Sequence, residues 1–211
     1  MPGLFITLEG TEGSGKTTQM RLLVDRLRAG GNVVTENREP GATRIGSMIR
    51  GILLDPEYRE MAPMTELLLM FASRVQAAEE IVLPGLERGE IVVSDRFTDS
   101  TLAYQGAARG LGFQTVLELH RLALGSLRPD ITICLAVDVA EGLARARHRN
   151  QSREGQSEAR IDEQPLAFHE RVREGYNRIA ALEPARFRIV DASGSPPAVA
   201  ERIWPAIAPL L

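Results

Sequence analysis

The sequence predicts an α/β fold, in which a parallel sheet of about five strands carries helices on both faces. Short apolar runs rich in Val and Ile recur along the chain, at residues 4–8, 32–35, 91–94, 131–137 and 187–190. Stretches with helical spacing separate them, and runs this continuous are typical of parallel strands covered on both faces. The chain has 211 residues, of which 44% are hydrophobic, so we expect a single domain over residues 1–211.

The first apolar run leads directly into a glycine-rich segment, Gly10-Thr-Glu-Gly-Ser-Gly-Lys-Thr17. This segment fits the pattern G-x-x-x-x-G-K-[ST]. The backbone N–H groups of such a turn form an anion-binding concavity, and the N-terminus of the following helix adds its positive end. We expect Lys16 to reach the β- and γ-phosphates and Thr17 to offer its hydroxyl to Mg²⁺. The segment therefore predicts the binding of a nucleoside triphosphate.

Two stretches have the spacing of long helices. The first, Arg21 to Arg28, is followed by the helix-ending pair Gly30-Gly31, and the second, Thr65 to Leu83, is expected to end at Pro84. A third stretch, about 145–162, is rich in charged and polar residues and predicts a mobile loop or lid. Ligands of parallel α/β sheets bind at the carboxyl ends of the strands, where we expect both helices to begin.

The strand predicted at 91–94 is followed at once by Asp95 and Arg96. A carboxylate at the carboxyl end of a strand beside the phosphate loop can hold Mg²⁺ or its water. The guanidinium can bind phosphate oxygens through two hydrogen bonds. A surface ion pair that caps the strand is the alternative for these two residues.

The strand predicted at 32–35 is also followed by charges, Arg38 and Glu39, and a Pro-Gly turn presents them. Arg50 follows on a predicted helix. Taken singly, each of these arginines is more often a solvated surface residue than a ligand contact. Grouped around one pocket with Arg96, they favour a second ligand that already carries a phosphate.

Composition excludes several other classes of protein. A formal net charge of −3 gives no basic field for a nucleic-acid polymer. Cys134 lies within an apolar run and is expected to be a buried free thiol. No apolar stretch of 18 residues and no signal-peptide layout is present, so we expect a cytoplasmic protein. The three histidines lack metal-ligand spacing and are expected at the surface or in helix packing.

The sequence resembles the thymidylate kinase family, whose members phosphorylate dTMP with ATP in dTTP biosynthesis. The resemblance runs from about Leu4 to Ala192, and the stretch 95–106 is close to a signature of the family. Its markers are Phe5-Ile-Thr-Leu-Glu-Gly-Thr-Glu-Gly-Ser-Gly-Lys-Thr-Thr18, Arg38-Glu-Pro-Gly41, Leu67-Leu-Leu-Met-Phe-Ala-Ser-Arg74, Asp95-Arg-Phe-Thr-Asp-Ser-Thr-Leu-Ala-Tyr-Gln-Gly106, Arg128-Pro-Asp130 and Asp191-Ala-Ser193.

The resemblance implies a role for residues around each substrate. Three arginines would clamp the dTMP phosphate, Arg74 would donate to thymine O4, and Glu12 would lie near the sugar and the reacting phosphate. Cytosine presents a donor where thymine presents O4, so a buried arginine there favours thymine. The expected dTMP residues are Arg38, Glu39, Arg50, Met70, Phe71, Arg74, Arg96, Ser100, Thr101, Tyr104 and Gln105. The expected ATP residues are Gly10, Thr11, Glu12, Gly13, Ser14, Gly15, Lys16, Thr17, Thr18 and Arg145, with Thr17 and Asp95 at the metal.

Two features depart from the family pattern. Family members often have Phe four residues before the arginine that reads thymine, whereas this chain has Met70 there and Phe71 one residue later. Both lie on the Arg74 face of a helix, and either side chain can pack on the base. Ala42 stands where many relatives have Gly, which implies that φ > 0 is unnecessary at this position.

The resemblance also implies that an arginine in the lid takes part in catalysis, because the phosphate loop itself contains none. Arg160 matches best, with Arg149 and Arg153 as weaker candidates, and the expected catalytic set is Lys16, Arg96, Arg160 and Glu12. Mg²⁺ is the expected cofactor. Family members are commonly homodimers, with residues 65–83 and 113–125 as plausible contacts.

Two other functions remain as alternatives. A related kinase acting on a different monophosphate would use the same fold, and dUMP offers the same O4 as dTMP and lacks only a methyl group. A nucleotide-dependent switch would need no second group of phosphate-binding arginines. Nothing in the chain resembles the guanine-reading pattern Asn-Lys-x-Asp.

Overall fold

A computed structural model describes residues 3–151 and 159–211 of the chain. Its centre is a parallel sheet with the strand order β2-β3-β1-β4-β5. The strands are β1 Leu4–Gly10, β2 Val34–Arg38, β3 Ile91–Asp95, β4 Ile131–Ala136 and β5 Phe187–Asp191. The predicted α/β fold with a five-stranded parallel sheet is confirmed.

Helices cover both faces of this sheet. They are α1 Lys16–Ala29, α2 Arg44–Leu54, α3 Pro63–Ala77, α4 Leu83–Glu87, α5 Thr98–Thr101, α6 Phe113–Leu124, α7 Val139–Gln151, α8 Leu166–Leu182 and α9 Pro196–Ile207. Wide π-helical turns at Ala78–Val82 and Leu102–Ala108 continue α3 and α5. None of the helices in the described part of the chain is both long and apolar enough to cross a bilayer.

Apolar side chains on the two faces of the sheet form separate clusters. On one face, Ile6, Leu8 and Ile133 pack with residues of α1 and α9 such as Leu23 and Ile203. This burial explains why the runs in β1 and β4 are largely apolar, since helices cover both faces of these strands. Cys134 lies in the cluster on the other face and is a buried free thiol, as predicted.

Two predicted boundaries are wrong. Strand β2 begins at Val34 rather than at residue 32, because the N–H of Asn32 still bonds to the α1 carbonyl of Leu27 at 3.1 Å. Pro84 does not end the helix before it; the proline lies in the first turn of α4, where a missing N–H costs little. The first residues of the expected lid, about 145–162, lie within α7, and residues 152–158 of it lie outside what the structure describes.

Helix α8 lies unusually close to the helical segment that follows β3. A Cβ atom on Gly175 would lie 2.9 Å from the Cα atom of Ala103, which is closer than such atoms approach one another. The glycine therefore allows the two backbones to meet. The contact brings His169 and Tyr176 of α8 to the carboxyl edge of the sheet.

Candidate active site

A cavity of about 470 Å³ lies at the carboxyl edge of the sheet. The strand register explains its position, because Arg38 of β2 and Leu8 of β1 both pair with Asp95 of β3 at this edge. The phosphate loop forms one side of the cavity, with residues 12–18. The other lining residues are Arg38, Glu39, Pro40, Arg50, Leu54, Met70, Arg74, Asp95, Arg96, Ser100, Thr101, Tyr104, Gln105, Arg145, Ile161 and Asp162.

The phosphate loop is shaped by glycines and closed by its own lysine. Gly13 and Gly15 have φ values of 66° and 89°, which favour glycine, and Gly15 precedes the first turn of α1. The Lys16 ammonium donates to the carbonyls of Gly10 and Thr11 at 3.0 and 2.9 Å. Gly10 and Thr11 thus contribute carbonyl acceptors to Lys16. Neither residue lines the cavity.

The pKa of Lys16 lies below the ordinary value of a lysine. Burial, and after it the nearby charge of Arg96, lower the pKa of its ammonium to about 8. The carboxylates around the site offset only part of this effect. An anionic ligand in the cavity would restore the positive charge, because an opposite charge favours the protonated form.

The loop packs directly on helix α7. A Cβ atom on Gly13 would lie 2.0 Å from the carbonyl oxygen of Gly142, and one on Gly142 would lie 2.5 Å from that of Glu12. Only glycine fits at either position. One turn after Gly142, Arg145 reaches the cavity and pairs with Glu141 of the same helix.

Arg96 occupies the centre of the site in a strained backbone conformation. Among the non-glycine residues that the structure describes, it alone has a positive φ, of 74°. Its guanidinium donates to Ser100 Oγ at 2.8 Å, Tyr104 OH at 3.2 Å and Tyr176 OH at 3.3 Å, and lies 3.6 Å from a carboxylate oxygen of Glu12. These four groups orient the guanidinium before any ligand binds.

Glu12 is held from two sides. Tyr104 OH donates to one carboxylate oxygen at 2.5 Å, and Nδ1 of His169 donates to the other at 2.9 Å. Burial raises the pKa of Glu12, but the hydrogen bond from His169 and the charge of Arg96 outweigh burial and lower the pKa to about 2. Glu12 is therefore ionised at neutral pH.

Two buried polar residues near the cavity, His169 and Glu9, were not predicted from the sequence as residues of the site. His169 was expected in helix packing or at the surface, whereas it is 1% exposed and bonds to a site carboxylate. Glu9, at the end of β1, accepts from Phe97 N at 2.8 Å and from Tyr176 OH at 2.9 Å. Burial, and after it the charge of Asp99, raise the pKa of Glu9 to about 7. The available signal was a polar residue on an otherwise apolar strand or helix face.

Arg74 lines the cavity and is 2% exposed. Its Nε donates to Glu39 Oε2 at 2.6 Å, and its Nη2 donates to the carbonyl of Phe97 at 3.1 Å. Nη1 is buried and has no hydrogen-bond partner within the described residues, and the same holds for the hydroxyl of Thr101. An unpaired buried donor of this kind fits a ligand atom that accepts a hydrogen bond.

The structure separates the two side chains that the sequence left as alternatives. Met70 lines the cavity, whereas Phe71 is 3% exposed in the core with Leu67 and Val172. The ring of Phe71 lies beneath the Arg74 guanidinium, with 5.0 Å between the ring centroid and Cζ. Phe71 is therefore not a cavity residue, because helix packing turns it toward the core.

The expected phosphate clamp is brought together at the end of β2. Arg38 and Arg50 both line the cavity, and Nη1 of Arg50 donates to the carbonyl of Pro40 at 2.8 Å. A Cβ atom on Gly41 would lie 2.8 Å from Cδ of Arg50, so glycine leaves room for that side chain. Together with Arg96, these residues make one wall of the cavity strongly positive.

Arg160 lies apart from the other residues expected to be catalytic, which line the cavity. Its side chain is 3% exposed and does not line the cavity. Its Nε donates to the carbonyl of Leu53 at 2.5 Å, and Nη2 lies 2.7 Å from a carboxylate oxygen of Glu66. The buried carboxylate attracts the guanidinium away from the cavity. Arg153 and the side chain of Arg149 lie outside what the structure describes.

Thr17 and Asp95 lie together beside the loop, with a long hydrogen bond of 3.5 Å between Thr17 Oγ1 and Asp95 Oδ2. Both are oxygen donors, which is the ligand type that Mg²⁺ prefers. Within residues 3–151 and 159–211, no cluster of three or more His, Cys, Asp or Glu side chains is arranged to hold a metal. The donor set therefore fits an ion that takes most of its ligands from phosphates and water.

A phosphate loop facing a second, arginine-rich pocket across one cavity defines the class of nucleoside monophosphate kinases with a phosphate loop. The sequence model of the thymidylate kinase family matches residues 8–203. The chain belongs to the thymidylate kinase family, and its reaction is the phosphorylation of dTMP to dTDP with ATP.

Individual relatives agree with this assignment. The thymidylate kinase of Syntrophotalea carbinolica is 48% identical over 200 residues, which cover 95% of this chain and 93% of the relative. That of Deinococcus radiodurans is 46% identical and covers 97% of this chain and 96% of its own. The crystal structure of thymidylate kinase from Ehrlichia chaffeensis superimposes with a TM-score of 0.78 at 30% identity over 99% of both chains.

Proposed function

We propose that the cavity binds ATP and dTMP together, with the ATP phosphates on residues 12–18 and dTMP on the opposite wall. One observation carries this arrangement. The unpaired buried donor of Arg74 lies in the same cavity as the phosphate loop, and the arginine wall lies with them. A thymine base at Arg74 directs the monophosphate of dTMP toward Arg38, Arg50 and Arg96.

Thymine O4 is the proposed acceptor for Nη1 of Arg74. Cytosine would place an amino group there, and two donors would then face each other at a buried position. Met70 packs against the base from α3, and Tyr104 lies beside the deoxyribose. Glu12, ionised and fixed by two hydrogen bonds, is placed to accept from the sugar hydroxyl.

Phosphoryl transfer spreads negative charge over the oxygens of the moving group, so positioned cations do most of the catalysis. Lys16 binds the β- and γ-phosphates, and Arg96 binds the phosphate group from the acceptor side. Thr17 and Asp95 would hold Mg²⁺, which neutralises phosphate charge when bound. Arg145 extends over the ATP side and is proposed to stack on the purine. Residues 145–162 are proposed to act as the lid of a single domain over 1–211.

ADP release with dTMP, dUMP, dCMP or dGMP as acceptor tests this assignment. We expect high activity with dTMP, weaker activity with dUMP, and none with dCMP, because thymine and uracil present O4 to Arg74 where cytosine presents an amino group. We expect none with dGMP either, because a purine is larger than the pyrimidine for which the site is proposed. Chelation of Mg²⁺ is expected to abolish the reaction, and its restoration to recover it. A preference for dCMP would contradict the placement of the base, and ADP release without any acceptor would contradict a role as a monophosphate kinase.

We further propose that the protein is a homodimer through one apolar face of α2, α3 and α6. Exposed large apolar side chains of these helices are Ile45, Met48, Ile52, Met64, Leu68, Leu117 and Leu122. Monomeric proteins rarely expose so many large apolar side chains on adjacent helices. This face includes parts of both segments that the sequence suggested as contacts.

Sedimentation of a Met48→Lys variant tests this surface. We expect the unaltered chain to sediment as a dimer and the variant to be shifted toward monomer, because a buried, unpaired ammonium is costly. Val33→Lys is the matched control, since Val33 and Met48 are both 66% exposed and Val33 lies outside the face. A monomeric unaltered chain, or equal effects of both substitutions, would contradict the proposed interface.

A further inference from the structure

Glu66 of α3 is a carboxylate without solvent exposure that the proposed reaction does not use. Three side chains from distant parts of the chain converge on it. Gln105 Nε2 donates to Oε1 at 2.7 Å, Arg109 donates to both oxygens at 3.2 and 3.0 Å, and Arg160 Nη2 lies 2.7 Å from Oε2. Of these four residues only Gln105 lines the cavity.

The two arginines keep this carboxylate ionised. Burial raises the pKa of Glu66, but the hydrogen bonds from Arg109 and Gln105 and the charge of Arg160 outweigh burial and hold the pKa below its ordinary value. An ionised carboxylate has acceptors only and cannot donate. The charge state of Glu66 therefore restricts which end of a neighbouring amide can face it.

This restriction fixes the amide of Gln105. Its NH₂ group must face Glu66, so Oε1 is the amide atom that remains for a ligand in the cavity. Thymine presents the N3–H donor next to the O4 acceptor, whereas cytosine presents an N3 acceptor next to an amino group. An acceptor on Gln105 beside a donor on Arg74 matches thymine at both positions.

We infer that Glu66 is a positioning residue that sets pyrimidine specificity through the amide orientation of Gln105. The inference rests on the proposed placement of the base beside Arg74 and Gln105. Thr101 cannot supply the same discrimination, because a hydroxyl both donates and accepts. Arg160 acts in this arrangement as a counterion of Glu66 rather than as a group on the transferred phosphate.

Dissociation constants of dTMP and dCMP for a Glu66→Gln variant test the inference. A glutamine at this position can offer its own NH₂ or oxygen, so the Gln105 amide is free to rotate. We expect the ratio of the dissociation constant of dCMP to that of dTMP to fall by about tenfold, the usual consequence of one unpaired polar group. The kcat with dTMP is expected to change much less than the ratio. If Glu66→Gln does not fold, Glu66→Asp tests the same ratio, because its shorter side chain moves the carboxylate away from the Gln105 amide.

Two further variants separate specificity from stability. Glu183 is also bound by two arginines, Arg128 at 2.6 Å and Arg186 at 2.8 Å, and does not line the cavity. The Glu183 side chain is 35% exposed, so Glu183→Gln controls for the loss of a carboxylate bound by two arginines and is expected to leave the ratio unchanged. In a Gln105→Ala background, Glu66→Gln is expected to cause no additional loss of discrimination, because the two residues act as a unit.

The outcomes distinguish the inference from the function on which it rests. An unaltered chain that binds dCMP as well as dTMP would overturn the placement of the base. An unaltered chain that discriminates, with a Glu66→Gln variant of the same ratio, would overturn the role of Glu66 alone. An equal loss in the Gln105→Ala background would assign Glu66 a general structural role and overturn the inference as well.

Discussion

Replacing Arg96 with alanine is expected to lower kcat by about 10³-fold, the lower end of the range for arginines that stabilise the transition state of phosphoryl transfer. The guanidinium is oriented by four groups in the unliganded site, including Ser100 and Tyr176. Alanine tolerates a φ of 74° no better than arginine, so the backbone strain is unchanged.

Steady-state rates with dTMP and ATP measure this effect. Arg96→Lys keeps the charge but cannot form two parallel hydrogen bonds, so we expect it to recover only part of the loss. Arg173→Ala removes an exposed arginine from α8 and serves as the control, with unchanged kcat. A kcat of Arg96→Ala within a few-fold of the unaltered chain would remove Arg96 from the mechanism.

Replacing Lys16 with alanine is expected to lower kcat/KM for ATP by about 10²–10³-fold, the usual loss when one positioned donor is removed. The pH dependence gives a second test of the same residue. The pKa of Lys16 is about 8 in the unliganded protein, so the active, protonated form is lost as the pH rises above 8. The kcat/KM for ATP should therefore fall above that pH, because this parameter reports the free enzyme.

The parameter kcat should lack this alkaline decrease, because bound phosphates raise the pKa of Lys16 in the complex. A Lys16→Arg variant keeps its charge throughout this range, so its kcat/KM, although lower, should also lack the decrease. An unchanged alkaline decrease in Lys16→Arg would assign the titration to another group.

Local patterns were sufficient to predict the fold and the phosphate side of the cavity. The apolar runs and the glycine-rich segment are contiguous in the chain, so the positions of β1, Lys16 and Thr17 at the cavity follow from spacing alone. Arg38, Arg50 and Arg96 were also predicted correctly as neighbours, because the carboxyl ends of parallel strands meet at one edge.

Partners that are distant in sequence could not be predicted in this way. His169 lies 157 residues from Glu12, and no local pattern records that pair. Whether Met70 or Phe71 faces the cavity depends on a helix rotation of about 100°, which packing against the core decides. The position of Arg160 was not predicted for a similar reason, since its buried counterion, Glu66, lies on α3, far away in sequence.

The contacts of α8 also determine when the site forms during synthesis. Strand β1 contributes Glu9 and Glu12 follows in the phosphate loop, near the start of the chain, yet Tyr176 and His169 reach them only across 167 and 157 residues. Domains fold as units while the ribosome extends the chain. A nascent chain that ends before α8 therefore carries the complete phosphate-loop motif but leaves both acidic side chains without these partners, and we expect it to lack kinase activity.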